Sequence, residues 1–290
     1  MLAGAALVDS AIIDQAGGFW REQYLTKTPE VEVHRNPKVA RTILVAGGLA
    51  NNGIDMGRAM RGALSPLGSI LAVRYAETNL RSDLLHGAIT DALDAHGLAD
   101  QPIDTYCNSA AGIFLAQTVR WLAADGRRFG TMVLDCCPAN VHDIEGIQGL
   151  AVRGRLDILR YSRAFNVFMQ FASNHVLPPP SDRDPDVPES LAAAHRRAIV
   201  RTDSITSGME AAYMRAHPVL PGSLAGIAER TVFMHAPQDP LVNFRTAVPA
   251  WRRACGSLEE VVDPARPAFS HAAGPTHPRG VAAVLAVASA

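Results

Sequence analysis

Ser109, Asp239 and a histidine near the end of the chain are residue types that can together activate a hydroxyl group for attack. A serine hydroxyl is a poor nucleophile until a base removes its proton, and that base needs a carboxylate to orient it. Ser109 stands between a predicted strand and a predicted helix, and Asp239 follows another predicted strand in a proline-containing turn. Either side chain could instead cap the helix that follows it. The combination favours nucleophilic catalysis by Ser109.

The residues around Ser109 fit a sharp turn from strand to helix. Strand and helix approach each other closely at such a turn, so small residues are required two positions before and two positions after the nucleophile. Cys107 and Ala111 occupy these positions, where the G-x-S-x-G motif has glycine. The sequence therefore meets the steric requirement of the turn without matching the glycines of the motif.

Two histidines are candidates for the base. His271 lies in a loop several residues before Pro278, which leaves room for its imidazole to reach Ser109. His277 lies directly before Pro278, at the start of the last predicted helix, where the helix dipole disfavours the cation that a base must form. We favour His271, with His277 as the alternative. Asp135, at the end of another predicted strand, is the alternative to Asp239 as the acid.

Short apolar runs alternate with helical patterns along most of the chain. This alternation predicts an α/β fold with a mostly parallel central sheet flanked by helices. The predicted strands cover residues 31–33, 42–46, 70–75, 103–106, 131–135, 231–235 and 258–262, and the predicted helices around them cover residues 80–96, 110–124 and 278–288.

The order Ser109, Asp239, C-terminal histidine resembles the α/β-hydrolase superfamily. Residues 237–242, PQDPLV, are close to the motif that surrounds the acid in that superfamily. The resemblance spans roughly residues 30 to 290 apart from a helical insertion. One departure is Ala46, where many relatives have a histidine before the first glycine. No specific subfamily is matched.

Acyl transfer also needs backbone N–H groups that stabilise the negative charge on the carbonyl oxygen. One donor should be the N–H of Ala110, directly after the nucleophile at a helix N-terminus. The resemblance implies that the second comes from Gly48 or, as the alternative, Leu49. Gly47 and Gly48 are not part of a dinucleotide-binding G-x-G-x-x-G motif, which is absent, and no Gly-Lys-Ser/Thr ending indicates a phosphate loop.

Residues 141–225 differ in character from the rest and predict a helical cap inserted into a core made of residues 1–140 and 226–290. Helical patterns cover residues 157–175, 189–201 and 204–215. Phe165, Phe168 and Met169 share one face of the first of these helices and would cover an apolar acyl pocket. The alternative is an extra helical layer with no role in binding.

Composition limits the possible partners. The 290-residue chain has a formal net charge of −1 and no long run of like charges, so neither nucleic acid nor an anionic membrane is expected. No secretory signal or membrane-spanning stretch is predicted, which favours a cytoplasmic protein. The four cysteines lack zinc-type spacing and are expected to be small buried side chains. The oligomeric state is left open.

The predicted activity is hydrolysis of a carboxylic ester or thioester of a small or apolar acyl substrate through an acyl-serine intermediate. No cofactor and no metal are expected, because the spacing of Asp135, His142, Asp143 and Glu145 matches no familiar ligand set. Transfer of the acyl group to another acceptor, or elimination, is the first alternative. A non-catalytic binding module with the same fold is the second.

Overall fold

The computed structural model describes residues 23–154, 179, 181–201, 204–263, 266 and 270–287. In this part of the chain, seven strands form one sheet in the order β1-β3-β2-β4-β5-β6-β7. Only β1 runs antiparallel to its neighbour, and the remaining pairs are parallel. The strands are β1 Glu30–His34, β2 Thr42–Ala46, β3 Ser69–Arg74, β4 Ile103–Asn108, β5 Phe129–Asp135, β6 Ala228–His235 and β7 Glu259–Val262.

The predicted fold class is confirmed, since every predicted strand is present with small shifts at its ends. The described helices are α1 Gly53–Leu64, α2 Ser82–Ala95, α3 Ala111–Ala124, α4 Gly146–Arg153, α5 Glu189–Arg201, α6 Ser204–Ala216, α7 Phe244–Cys255 and α8 Pro278–Ala286.

Helices cover both faces of the sheet because side chains on successive strand residues point to opposite faces. On β2, Leu44 and Ala46 belong to the core formed with α2, α3 and α7. Ile43 and Val45 belong to the core on the other face, formed with α1 and α8. The carboxyl ends of the parallel strands therefore meet at one edge between two helical layers, where ligands bind in α/β folds.

Part of the predicted cap is described. Helix α5 packs against α1, and α6 packs against α3 and α4. The predicted helix over residues 157–175, with its stripe of Phe165, Phe168 and Met169, lies outside the described residues. The division into a core of residues 1–140 and 226–290 and a cap of residues 141–225 stays a prediction.

A helix that crosses a bilayer must be both long and apolar. None of the helices in the described ranges is long and apolar enough to cross a membrane. The four cysteines, all of which lie in those ranges, are free and buried.

Helix α1 lies unusually close to the sheet through its glycines. A Cβ atom added at Gly57 would lie 2.6 Å from the Cβ of Ala72 on β3, and one added at Gly53 would lie 2.2 Å from the Val73 carbonyl oxygen. Both distances are shorter than any normal contact. A Cβ added at Gly62, on the same helix, would have no atom within 4 Å.

We expect Gly57→Ala to lower the free energy of unfolding, because the added methyl group must push α1 away from β3. Gly62→Ala is the matched control and should raise it by up to about 1 kcal/mol, since alanine is the better helix former. Urea unfolding of both variants measures the difference. Equal changes in the two variants would contradict the close packing of α1.

Candidate active site

Ser109 lies at the tip of the turn between β4 and α3. Its φ of 53° is in the left-handed region, which a residue with a side chain adopts only when the surrounding structure enforces it. The Ser109 N–H donates to the Asp135 carbonyl oxygen at 2.8 Å, which ties the turn to β5. Cys107 and Ala111 are buried on either side. The structure therefore has the sharp turn that their small side chains predicted.

Ser109, His271 and Asp239 form a continuous hydrogen-bonded chain. His271 Nε2 lies 2.7 Å from Ser109 Oγ, and His271 Nδ1 lies 2.8 Å from Asp239 Oδ2. A carboxylate can only accept, so Asp239 holds the imidazole proton on Nδ1 and leaves Nε2 free to accept from the serine. The second oxygen of Asp239 accepts the N–H groups of Leu241 and Val242 at 2.7 and 2.9 Å.

His277, the alternative base, has other partners. Its Nδ1 lies 3.0 Å from the Thr276 hydroxyl oxygen, and its Nε2 lies 3.4 Å from Asp182. Its backbone forms the start of α8. The structure therefore brings His271, and not His277, to Ser109.

The surroundings of Asp239 keep it ionised. Burial alone would raise its pKa, but the charge and hydrogen bond of His271, the Cys136 thiol and the Val242 N–H together lower the pKa below its ordinary value. Asp239 therefore carries its negative charge at neutral pH, as the stabilisation of a protonated imidazole would require.

Cys136, Asp239 and His271 also form the one group of possible metal ligands found among the described residues, with ligand atoms within 4.8 Å of one another. Burial raises the pKa of the Cys136 thiol well above its ordinary value. A protonated thiol is a poor metal ligand, whereas it can donate a hydrogen bond to Asp239. This donor set fits a serine-activating triad better than a metal site.

The loop after β2 lies directly against the turn at Ser109. A Cβ added at Gly48 would lie 2.6 Å from the Asn108 carbonyl oxygen, 2.7 Å from Ser109 Cβ and 2.8 Å from the Ala110 nitrogen. Only glycine permits this approach. The backbone of Gly48 and the Ala110 N–H, directly before α3, therefore lie together beside Ser109.

Asp135 has different partners from Asp239. Its carboxylate accepts hydrogen bonds from Arg266 at 2.5 and 3.0 Å and from the Tyr106 hydroxyl at 2.5 Å. The side chains of Asp135 and Arg266 are both fully buried. The N–H of Gly274 also points to this carboxylate, at 3.3 Å. Asp135 thus anchors the loop on which His271 lies, rather than orienting the imidazole itself.

Asn108 joins this network to the nucleophile. Its side-chain amide donates to the Ala272 carbonyl oxygen at 2.8 Å and to the Tyr106 hydroxyl at 3.2 Å. Its amide oxygen accepts from Asn51 at 3.1 Å. One side chain next to Ser109 therefore fixes the histidine loop and the loop after β2 together.

The acidic loop after β5 has a structural role. The Asp143 carboxylate accepts hydrogen bonds from the N–H groups of Ala139 and Asn140 at 2.9 and 3.1 Å. His142 and Glu145 are exposed. The Asp143 carboxylate therefore stabilises the backbone of this loop.

Comparison with solved structures places this architecture in the α/β-hydrolase fold. The enol-lactonase from Burkholderia xenovorans LB400 is 12% identical with a TM-score of 0.64, over 90% of this chain and 95% of that one. The esterase RhEst1 from Rhodococcus sp. ECU1013 is 16% identical with a TM-score of 0.63, over 90% and 94%. The 2-hydroxy-6-oxo-6-phenylhexa-2,4-dienoate hydrolase from Rhodococcus sp. strain RHA1 is 14% identical with a TM-score of 0.63, over 89% and 93%.

Comparison by sequence finds nothing equivalent. No protein-family model matches the chain, and no curated protein matches it in sequence. The fold is therefore established by the structure, while the chemistry has to be argued from the side chains.

Sequence reasoning did not identify Arg266, Tyr106, Asn108 or Glu210 as parts of the site. Arg266 is a single arginine in an otherwise apolar loop shortly before His271, and a charge in such a loop is the signal that could have indicated a buried partner. Glu210 gave no such signal, because a glutamate on an amphipathic helix is usually solvated.

We expect Arg266→Met to lower the free energy of unfolding by about 3–5 kcal/mol, because the substitution leaves Asp135 buried and unpaired. Arg58→Met is the matched control: Arg58 pairs with Glu32 and Asp55, but its side chain is 52% exposed. Such exposed pairs contribute only about 0–1 kcal/mol. Chemical denaturation compares the two variants, and similar losses would contradict the anchoring role of Asp135 and Arg266.

Glu210 of α6 is a second buried group close to this region. Its carboxylate accepts the N–H of Ala50 at 2.7 Å, and Ala50 has a φ of 59°. Burial raises the pKa of Glu210 to about 8 from an ordinary value of 4.5, against the effect of the Ala50 hydrogen bond. At neutral pH this side chain is therefore mostly a neutral carboxylic acid.

At a pH between 4.5 and about 8, Glu210 is deprotonated in the unfolded chain and protonated in the folded chain. The free energy of unfolding should therefore fall as the pH rises from about 5 to 8, by up to about 1.4 kcal/mol per pH unit. Glu210→Gln cannot titrate, so the wild type should lose stability relative to this variant over the same range. Urea unfolding at pH 5, 6.5 and 8 tests this, and parallel profiles would show that Glu210 titrates normally.

Proposed function

We propose that this protein is a serine hydrolase that cleaves a carboxylic ester or thioester through an acyl-serine intermediate. The observation that carries the proposal is the unbroken chain of hydrogen bonds from Asp239 through His271 to Ser109. Proteins with the same fold that are named as hydrolases and esterases support the assignment to hydrolases as a class. The fold by itself hosts many chemistries.

In the proposed first step, His271 Nε2 takes the proton from Ser109 as Oγ attacks the carbonyl carbon. The imidazole then carries a positive charge, which the ionised Asp239 stabilises. The proton passes from Nε2 to the leaving alcohol or thiol, and the acyl group stays on Ser109. Water then repeats the sequence with the same residues and releases the acid.

The negative charge on the carbonyl oxygen needs donors that are already in place. We assign this role to the Ala110 N–H and to a second N–H from Gly48, which lies against the turn at Ser109, with Leu49 as the alternative. The backbone of this region is held by Asn108 and by the Ala50–Glu210 contact, so the donors need no rearrangement during the reaction.

The acyl group is assigned to a pocket beneath the Phe165, Phe168 and Met169 stripe on the basis of sequence alone. Acyl transfer to an acceptor other than water, elimination and a non-catalytic binding role remain the alternatives. The first two keep Ser109 as the nucleophile or base, and the third does not require it to react.

Labelling with a fluorophosphonate, which reacts only with an activated serine, tests the nucleophile. We expect the wild type to be labelled and Ser109→Ala to show no labelling, because the attacking oxygen is removed. His271→Ala should lower the labelling rate by about a thousandfold or more. The rate is measured with the intact folded protein by in-gel fluorescence over time.

Ser257→Ala and His277→Gln are the matched controls, since Ser257 is exposed and His277 faces Thr276 and Asp182. Both should be labelled at the wild-type rate. No labelling of the wild type would favour the binding-module alternative. Loss of labelling in His277→Gln with retention in His271→Ala would reverse the assignment of the base.

A further inference from the structure

A cavity lies beside the loop after β2. Its volume is about 330 Å³, and Ser109 is not among its lining residues. Ala50 and Asn51 contribute to its wall, so it shares this loop with the nucleophile region. The residues that matter for its chemistry are Ala50, Asn51, Tyr75, Glu77, Thr206 and Glu210.

Several polar atoms in this wall have no hydrogen-bond partner among the residues that the structure describes. The hydroxyl oxygens of Tyr75 and Thr206 and the side-chain amide oxygen of Asn51 are buried and unpaired. Tyr75 and Thr206 are 4% and 7% exposed. Buried polar groups without partners destabilise a fold, so a group of them around one cavity indicates a ligand that supplies the missing hydrogen bonds.

The charges of the residues that line the cavity indicate which type of ligand it would bind. Glu210, which is 4% exposed, is mostly neutral at pH 7 and can accept through one oxygen while donating through the other. Glu77 already accepts from the Thr26 N–H and hydroxyl, and Arg74 pairs with Glu30 through Nη2 while its buried Nε is a further donor without a partner among the described residues. Because the charges of Glu77 and Arg74 have partners, the other donors and acceptors are neutral and match hydroxyl groups, each of which both donates and accepts.

The cavity is also close enough to Ser109 for one substrate to reach both. Gly48 lies against Ser109, and Ala50, two residues further along, lines the cavity. Two residues separate Cα atoms by at most about 7.6 Å. A substrate with its carbonyl carbon at Ser109 therefore needs only a short polar substituent to place a hydroxyl group in the cavity.

We propose that this cavity is the subsite for a neutral, hydroxyl-bearing part of the substrate, such as the polyol half of a partial ester or the hydroxylated half of a hydroxy-acid ester. The proposal rests on the proposed hydrolase function. It names Tyr75 and Thr206 as residues that determine specificity by hydrogen bonding to those hydroxyl groups.

Two matched pairs of esters test the subsite. Glyceryl monobutyrate and ethyl butyrate share the acyl group, and methyl 3-hydroxybutyrate and methyl butyrate share the alcohol. We expect Tyr75→Phe and Thr206→Val to raise KM for the hydroxylated member of one pair about tenfold, the equivalent of one hydrogen bond. KM and kcat for the plain member should stay unchanged.

Thermal unfolding separates this role from a structural one. Because the Tyr75 and Thr206 hydroxyls have no partner in the described part of the chain, their removal should leave Tm unchanged or higher. Tyr213→Phe is the control: its hydroxyl lies 2.6 Å from the Ser82 hydroxyl and outside the cavity. This substitution should change KM for both members of each pair by the same factor and so keep the wild-type preference.

The possible outcomes are distinct. Turnover of all four esters with equal effects of the variants on both members of each pair would overturn the subsite and leave the proposed hydrolase function standing. No turnover of any ester together with no fluorophosphonate labelling would overturn the proposed function and the subsite with it.

Discussion

The buried ion pair between Asp135 and Arg266 is the interaction on which the rest of the site depends. Asp135 ends strand β5, which lies next to the central strand β4, and Arg266 lies in the segment before His271. Two full charges without solvent are tolerated only when their hydrogen bonds are complete, and Tyr106 and Gly274 supply the others on Asp135. This ion pair therefore ties the end of β5 to the segment before His271, whose imidazole lies against Ser109.

The sheet was predictable from the sequence because its strands are short apolar runs bounded by turns and helical patterns. Helices α1 and α7 were not predicted, since glycines in α1 and Pro249 in α7 weaken the local signal. Their formation depends on packing: Met56, Met60 and Leu64 of α1 are fully buried, as is Trp251 of α7. Tertiary contacts of this kind cannot be inferred from the amino-acid sequence.

Within the site, the residues that act at the ends of strands could be proposed from the sequence, because the topology of a parallel sheet brings those ends together. Ser109 and Asp239 are of this kind. The preference for His271 over His277 rested on loop length, and the structure adds the reason in the partners of His277. Glu210 and the polar cavity could not be inferred, since they arise where α6 meets the loop after β2, far away in sequence.

The location of Arg266 has a consequence for how the protein is made. Asp135 and the whole of β5 leave the ribosome well before Arg266 and His271 are synthesised, so the nascent sheet contains an acidic group whose counter-charge does not yet exist. Domains generally fold as their chain emerges, and a buried unpaired charge opposes closure of the core. Synthesis of the segment that contains Arg266 and His271 therefore completes the core and the candidate triad at the same time, and a chain that stops before this segment has neither a finished core nor the imidazole that lies against Ser109.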